Sequence, residues 1–509
     1  MVKKIIIVGG GSAGWMSAAT LKQCFPNKEI TLIESPKIET IGVGESTIQQ
    51  IKEWVHLLDI NDKSFIPETD AILKLSIKFQ DFYKKGEHFH YPFGEANYAG
   101  NNNENNDWWF KKIYKSSTPN NNYAESNYPI MSLIKNNKIS TDLNKRISFF
   151  SFHKDCAYHF DATKFAIWLR DNYCKPLGVK HIKEEIKEVQ QDDNGIKSLN
   201  GKYKADLYID CTGFKSLLLG KTLNEKFESY EDLLPNNSAW ATKIPYKNKK
   251  KQMECFTTCT AYNNGWIWNI PLWSRIGTGY VYSDKFISDE DALKEFQKYL
   301  GTKDLEFKKI KMKVGIHKRL WVKNVAAVGL AAGFIEPLES NGLFTVHQFL
   351  LSLVENLNRK DCSQWDKDNY TYECKRLFNN FAEFVALHYA LSHRKDTAYW
   401  KNNFNKQWEE KLINLDPTFA SGFLKAVGNR VYDNKHDVFG GFHCIAAGMN
   451  WAPTSLYKLI TNNLLNSKAH WTNFLKERTT HLDEKVKNWD ELCKEAPSTY
   501  SFMKKNFYS

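Results

Sequence analysis

The stretch IIIVGGGSAGWMSAATL, residues 5–21, runs from β-branched residues through a glycine turn into small helix-forming residues. Gly9, Gly11 and Gly14 keep the spacing G-x-G-x-x-G at the junction of a predicted strand and a predicted helix. Such glycines allow a tight turn, close backbone approach to a pyrophosphate and close helix packing. Ser12 and Ala13 then belong to a helix start whose unpaired N–H groups and positive dipole end suit phosphate. The next strand, ITLIES, ends on Glu34, twenty residues beyond Gly14, where a carboxylate can hold ribose hydroxyls. Glycines, helix and Glu34 together predict a Rossmann-type dinucleotide-binding domain. The motif alone does not separate NAD from FAD.

Two later segments look like returns to the same sheet. ADLYIDCTGF (205–214) reads as a strand and turn, and NVAAVGLAAGFIEPLESNGLF (324–344) as strand, small-residue turn and helix. Residues 225–310 carry β-type alternation and are expected to form a sheet laid over the cofactor domain. Residues 97–127 are rich in asparagine and read as a solvated inserted loop. The pattern from 346 to 509 is mostly helical. The expected architecture is therefore α/β: a discontinuous cofactor domain over 1–345, then a helical substrate-binding region over 346–509.

The chain has 509 residues, enough for more than one core, with 42% hydrophobic and 25% charged residues. The formal charge of +12 comes from lysines scattered along the chain, with no basic stripe or nucleic-acid motif. Nucleic acid is not expected as a partner. No apolar run reaches the ~18 residues of a membrane span, and the first strand begins at once, leaving no room for a cleaved leader. The ten cysteines include no C-x-x-C, so zinc is not expected, and a reducing cytoplasm fits them.

GWIWNIP (265–271) places Trp266 and Trp268 on one side of an extended segment. With 16 tryptophans in the chain, packing is the first explanation. The motif, however, resembles the WxWxIP of the flavin-dependent halogenases, the tryptophan-halogenase-like family. GLAAGFIEPLES (329–340) is similar to that family's third return, with Leu330 where hydroxylases of this fold carry aspartate. IGVGEST (41–47), LSIKFQDF (75–82), AYHFDA (157–162), RIGTGYVYS (275–283) and HYALSHRKDTAYW (388–400) resemble further family motifs, in family order. The resemblance spans residues 3–460. It implies FAD rather than NAD, in a GR2/monooxygenase-like Rossmann fold.

The resemblance also implies roles. Gly44, Glu45 and Ser46 lie in the flavin-adjacent loop, and Gly329 and Leu330 in the third cofactor contact. Trp266 and Trp268 would bar organic substrates from a flavin hydroperoxide, so that only halide is oxidised there, to hypohalous acid. Lys78 would carry or orient that species, by an adduct or a hydrogen bond. Glu339 would take the ring proton, with its register in the family, rather than chemistry, choosing it over Glu336. Asn341 and Gly342 would bind halide where threonine and glycine are usual, and the asparagine raises the expectation that bromide or iodide is tolerated beyond chloride. Reduced FAD would come from a separate flavin reductase, and a homo-oligomer is expected.

For the substrate, Phe93, Tyr91 and Trp451 are candidate contacts. His436 and Asp437 stand where the family's aromatic pair would grip free tryptophan. The substrate reading is thus an electron-rich indole or phenol, bulkier than tryptophan or more loosely held. A flavin hydroxylase or epoxidase and a non-catalytic flavin- or NAD-binding protein are the rival readings.

Overall fold

The structure, a computed structural model, describes residues 2–37, 44–96, 107–143, 147, 150–359, 361–408, 410–411, 441–451 and 468–509. The chain divides into two compact units. One comprises Met1–Ile72, Tyr158–Pro245 and Leu272–Ala382; the other Leu73–Ala157, Tyr246–Pro271 and Glu383–Ser509. These bounds differ from the expected division at 345/346. Helical residues up to 382 belong with the glycine turn, whereas strands 76–80, 88–92 and 256–271 belong with the chain's last third.

In the first unit, strand β1 (Lys4–Val8) is central to a sheet in the order 321–322, 325–327, 207–210, β1, β2 (Glu29–Glu34), 180–183. All neighbours run parallel except the edge strand Trp321–Val322. Ile5, Ile6, Ile7 and Val8 are buried, as strands covered on both faces require. The two later segments are thus returns to this sheet: Ile5 pairs with Leu207, and Tyr208 with Val325. Helix α1 (Ser12–Cys24) follows the turn with Gly14 to Leu21 buried, which explains its Ala-Ser-Thr composition. It packs against the helix Gly342–Leu357. An antiparallel trio, with 238–244 between 276–282 and 308–311, also belongs to this unit.

The second unit holds Phe256–Tyr262 paired antiparallel with Gly265–Pro271 and parallel with Ser76–Gln80, which in turn pairs with His88–Pro92. Here the expected loop over 97–127 needs correction. Residues 97–106 lie outside the described residues, but Asp107–Tyr114 and Asn122–Asn127 are helices. Trp108, Trp109, Phe110 and Tyr123 are buried. The asparagines dominate the composition, whereas the consecutive aromatics dominate the energetics, because burying large apolar surface outweighs a polar average. Phe110 meets Trp471 of the helix Lys468–Cys493 edge-on at 5.8 Å, and Lys111 pairs with Asp483 at 2.6 Å. Among the described residues no helix is long and apolar enough to cross a membrane, and no cluster of metal-binding groups occurs.

Because Trp108 is completely buried, Trp108→Ala should destabilise the protein by about 3–5 kcal/mol. The drop in the urea midpoint measures this; a change within error would return the segment to the status of a surface loop.

Candidate active site

The first turn is shaped by contacts that leave no room for side chains. A Cβ at Gly9, whose φ is +118°, would stand 2.2 Å from Cys211 O, and one at Gly14 would stand 1.9 Å from Gly9 O. A Cβ at Gly10 would meet Glu34 Oε2 at 1.7 Å. At Gly11 it would meet no protein atom, and Gly11 faces a cavity of about 460 Å³.

That cavity brings together most of the expected cofactor and halide residues: Gly9, Gly11, Ser12, Ala13, Glu34, Glu45, Gly329, Leu330, Asn341 and Gly342 all line it. Gly14 and Ser46 act one layer back, Gly14 through its packing on Gly9 and Ser46 through an Oγ–Oγ hydrogen bond of 3.0 Å to Ser340. Gly44, at φ +89°, supplies the left-handed bend that leads into Glu45. Residues 41–43 of the same motif lie outside the described residues.

The donor set fits FAD. Open space at Gly11 beside the start of α1 suits a pyrophosphate. Glu34 keeps Oε1 on His181 Nε2 at 2.8 Å, while Oε2 lies over Gly10. One oxygen is thereby fixed and the other is presented beside the turn, as a ribose contact requires. His181 was not foreseen, since nothing in its strand marks it. In DCTGF the work is divided: the buried Asp210 accepts from the N–H groups of Thr212, Leu218 and Leu219, whereas Thr212, Gly213 and Phe214 line the cavity.

The second helix start facing this cavity belongs to Gly342–Leu357. It is preceded by Glu336, Glu339, Ser340 and Asn341, all buried. Glu336 Oε2 accepts from Asn236 Nδ2 at 2.8 Å. Ser340 has φ +57°, a strained left-handed turn that sets the direction of Glu339 and of the helix. Asn341 occupies the cap position without a side-chain capping bond, and its Oδ1 has no hydrogen-bond partner among the described residues. Two other family motifs meet in this unit: Asp161 of AYHFDA caps the helix Ala162–Trp168 and pairs with Arg275 of RIGTGYVYS at 2.6 Å. Burial alone would raise the Asp161 carboxyl, but the Lys164 N–H and Arg275 more than offset it and hold it low.

In the second unit Trp266 and Trp268 lie in the strand Gly265–Pro271 with ring centroids 6.2 Å apart, both buried. Their cross-strand partners are the small residues Ala261 and Cys259. Cys259 also pairs with Phe79, so the indoles share a face with Phe79, and Lys78 points to the other. Lys78 is half-buried, in register with Thr258 and His90. A second lysine, Lys74, meets the expected substrate residue Phe93. It is fully buried, with Nζ 5.0 Å from the centre of the Phe93 ring.

Phe93 and Tyr91 lie with ring centroids 6.4 Å apart, and Tyr91 meets Phe384 at 6.1 Å. A Cβ at Gly441 would stand 2.6 Å from Tyr91 Cζ, so the helix Phe442–Gly448 presses on this wall. Trp451 is 39% exposed. His436 and Asp437 lie outside the described residues. Arg394 of HYALSHRKDTAYW donates to Ala261 O and stacks on Trp400 at 4.5 Å, which makes that motif a brace.

A glycine turn, a ribose carboxylate and a second helix start around one cavity define a class, that of dinucleotide-binding proteins. The chain belongs to the tryptophan halogenase family, whose model matches residues 4–463. It is 35% identical to the tryptophan 6-halogenase SttH of Streptomyces toxytricini over 78% of this chain and 80% of that one. Against the tryptophan 7-halogenase RebH of Lentzea aerocolonigenes it is 30% identical over 89% and 90%. The solved apo structure of VirX1 matches with a TM-score of 0.90 at 36% identity, covering 100% of both chains. The protein is a flavin-dependent halogenase, an enzyme that uses reduced FAD, dioxygen and halide to halogenate an aromatic compound, with a separate flavin reductase.

His347, in the helix that begins at Gly342, is completely buried, and burial pushes its imidazole down to about 3 from an ordinary 6.5. Between those values the unfolded chain binds a proton that the folded one refuses, so stability falls as pH is lowered below 6.5. The loss is on the order of 1 kcal/mol per pH unit. Thermal midpoints compared between about pH 7 and about pH 5 should fall further for the wild type than for His347→Leu; equal falls would refute the assignment.

Proposed function

We propose that the enzyme halogenates an electron-rich indole or phenol larger than free tryptophan, with bromide or iodide favoured over chloride, and that Lys78 directs the transfer. The observation that carries this reading is Lys78, half-buried on a strand that pairs with the Tyr91 strand, whereas the neighbouring Lys74 is sealed from solvent. When bound, reduced FAD with dioxygen supplies the two-electron oxidant that turns halide into hypohalous acid. Trp266 and Trp268 serve as the barrier that keeps organic substrates from that oxidant. Lys78 donates a hydrogen bond and then a proton to the oxygen of hypohalous acid, or carries its halogen on nitrogen, beside the ring. The ring carbon gains halogen, water leaves, and the ring proton passes to Glu339, whose carboxylate also stabilises the cationic intermediate.

SttH and RebH are named for tryptophan, which supports an indole or related ring. Asn341 supports the larger halides. Its buried amide can turn an N–H toward an anion at the helix start, and a large, weakly hydrated ion loses least on leaving water.

The test supplies FAD, a generic flavin reductase, NADH and each halide separately to a panel of indoles and phenols, read by mass spectrometry. Halogenated product should fall at least about a hundredfold in Lys78→Ala and by no more than about a few-fold in Lys74→Met. Asn341→Thr should shift the preference toward chloride. The reverse ranking of the two lysines would move the role to Lys74. Better chloride turnover by the wild type would end the halide proposal, and oxygenated product without halogen would make the enzyme a hydroxylase.

A further inference from the structure

One carboxyl in the cavity has no part in the chemistry above. A methyl group added at Gly342 would stand 3.1 Å from Glu45 Oε1, so this carboxyl lies against the first residue of the helix that follows Asn341. Both Glu45 and Gly342 line the cavity. Glu45 pairs across its strand with Phe160, and the neighbouring pair is Ser46 with His159. The other titratable groups around it are His347 of the Gly342 helix, held neutral by burial, and Glu34, Glu184, Glu185 and Lys215 on the cavity wall. None of these sets the state of Glu45. Burial is the only cause acting on its carboxyl, and pushes it up to about 7.

The geometry matters because an anion is expected at the same spot. A halide held by the N–H groups of Asn341 and Gly342 would share this corner with an ionised Glu45, two like charges in contact. A neutral carboxylic acid would instead offer an O–H donor. We infer that Glu45 gates the halide site: halide binds at the head of the Gly342 helix only with Glu45 as the neutral acid, and each halide bound above neutral pH brings one proton with it. This rests on the halide reading of Asn341 and Gly342. By linkage, halide affinity is level in mild acid and falls as pH rises, approaching tenfold per pH unit.

Chloride and bromide NMR line widths, measured on protein saturated with oxidised FAD across about pH 5.5–9, report halide exchange with a bound site without turnover. The wild type should show excess width whose apparent affinity falls with rising pH, and Glu45→Gln should show binding that does not vary with pH. A level wild-type profile, or a slope that persists in Glu45→Gln, overturns the gate and leaves the halide site standing. Absence of excess width in both proteins at every pH overturns the halide site itself, and the gate with it. A second measurement needs no variant. Adding bromide to the lightly buffered wild type at about pH 8 should raise the pH through proton uptake; no uptake overturns the proposal.

Discussion

The closeness of the backbone at the first turn is the constraint on which the rest of the site depends. Gly9 lies so near Cys211 O, and Gly14 so near Gly9 O, that any side chain would push strands β1 and 207–210 apart or lift α1 from the sheet. That packing fixes where the α1 N-terminus points and where Glu34 ends its strand. It also places Thr212, Gly213 and Phe214 on the opposite wall. The cavity is therefore a consequence of sheet geometry, and its polar groups are attached to parts that cannot move independently.

A second helix start converts a dinucleotide cavity into one that can also serve an anion. The helix Gly342–Leu357 packs on α1, and both begin at the cavity wall. Two positive dipole ends directed at one space favour negative charge there. The carboxylates of Glu34, Glu184 and Glu185 oppose it, and among the described wall residues only Lys215 adds a full positive charge. Binding of anions is thus governed by backbone N–H groups and by which carboxyls are neutral, more than by cationic side chains. The scattered lysines behind the net charge of +12 have little to do with it.

Legibility in the sequence followed how local each constraint is. The glycine turn, Glu34 and the two returning strands could be read because each is a short segment whose geometry dictates its residue types. The segment 107–127 was misread because its asparagines describe its surface, while Trp108, Phe110 and Tyr123 describe its packing, and only the helix Lys468–Cys493 reveals what they pack against. The different surroundings of Lys74 and Lys78 were not legible for a related reason. Both are flanked by apolar residues, and four positions apart they share a parity, so alternation cannot separate them. The difference lies in what stands opposite: Phe93 for Lys74, Thr258 and His90 for Lys78.

The two glutamates of EPLES show the same principle at closer range. Chemically they are alike, both buried and three residues apart. Their surroundings assign them different work. Glu336 is engaged by Asn236, a bond that ties the motif to the segment before strand 238–244 and gives this carboxylate a structural task. Glu339 is followed at once by Ser340 in its left-handed conformation and then by the helix start. Its orientation is thereby coupled to the residues expected to hold halide, and Ser46 secures Ser340 from the Glu45 strand. A displacement of that strand would reach Glu339 and Asn341 together. Proton acceptance and halide binding would then change as one unit, and the link would run through Ser340 and the backbone.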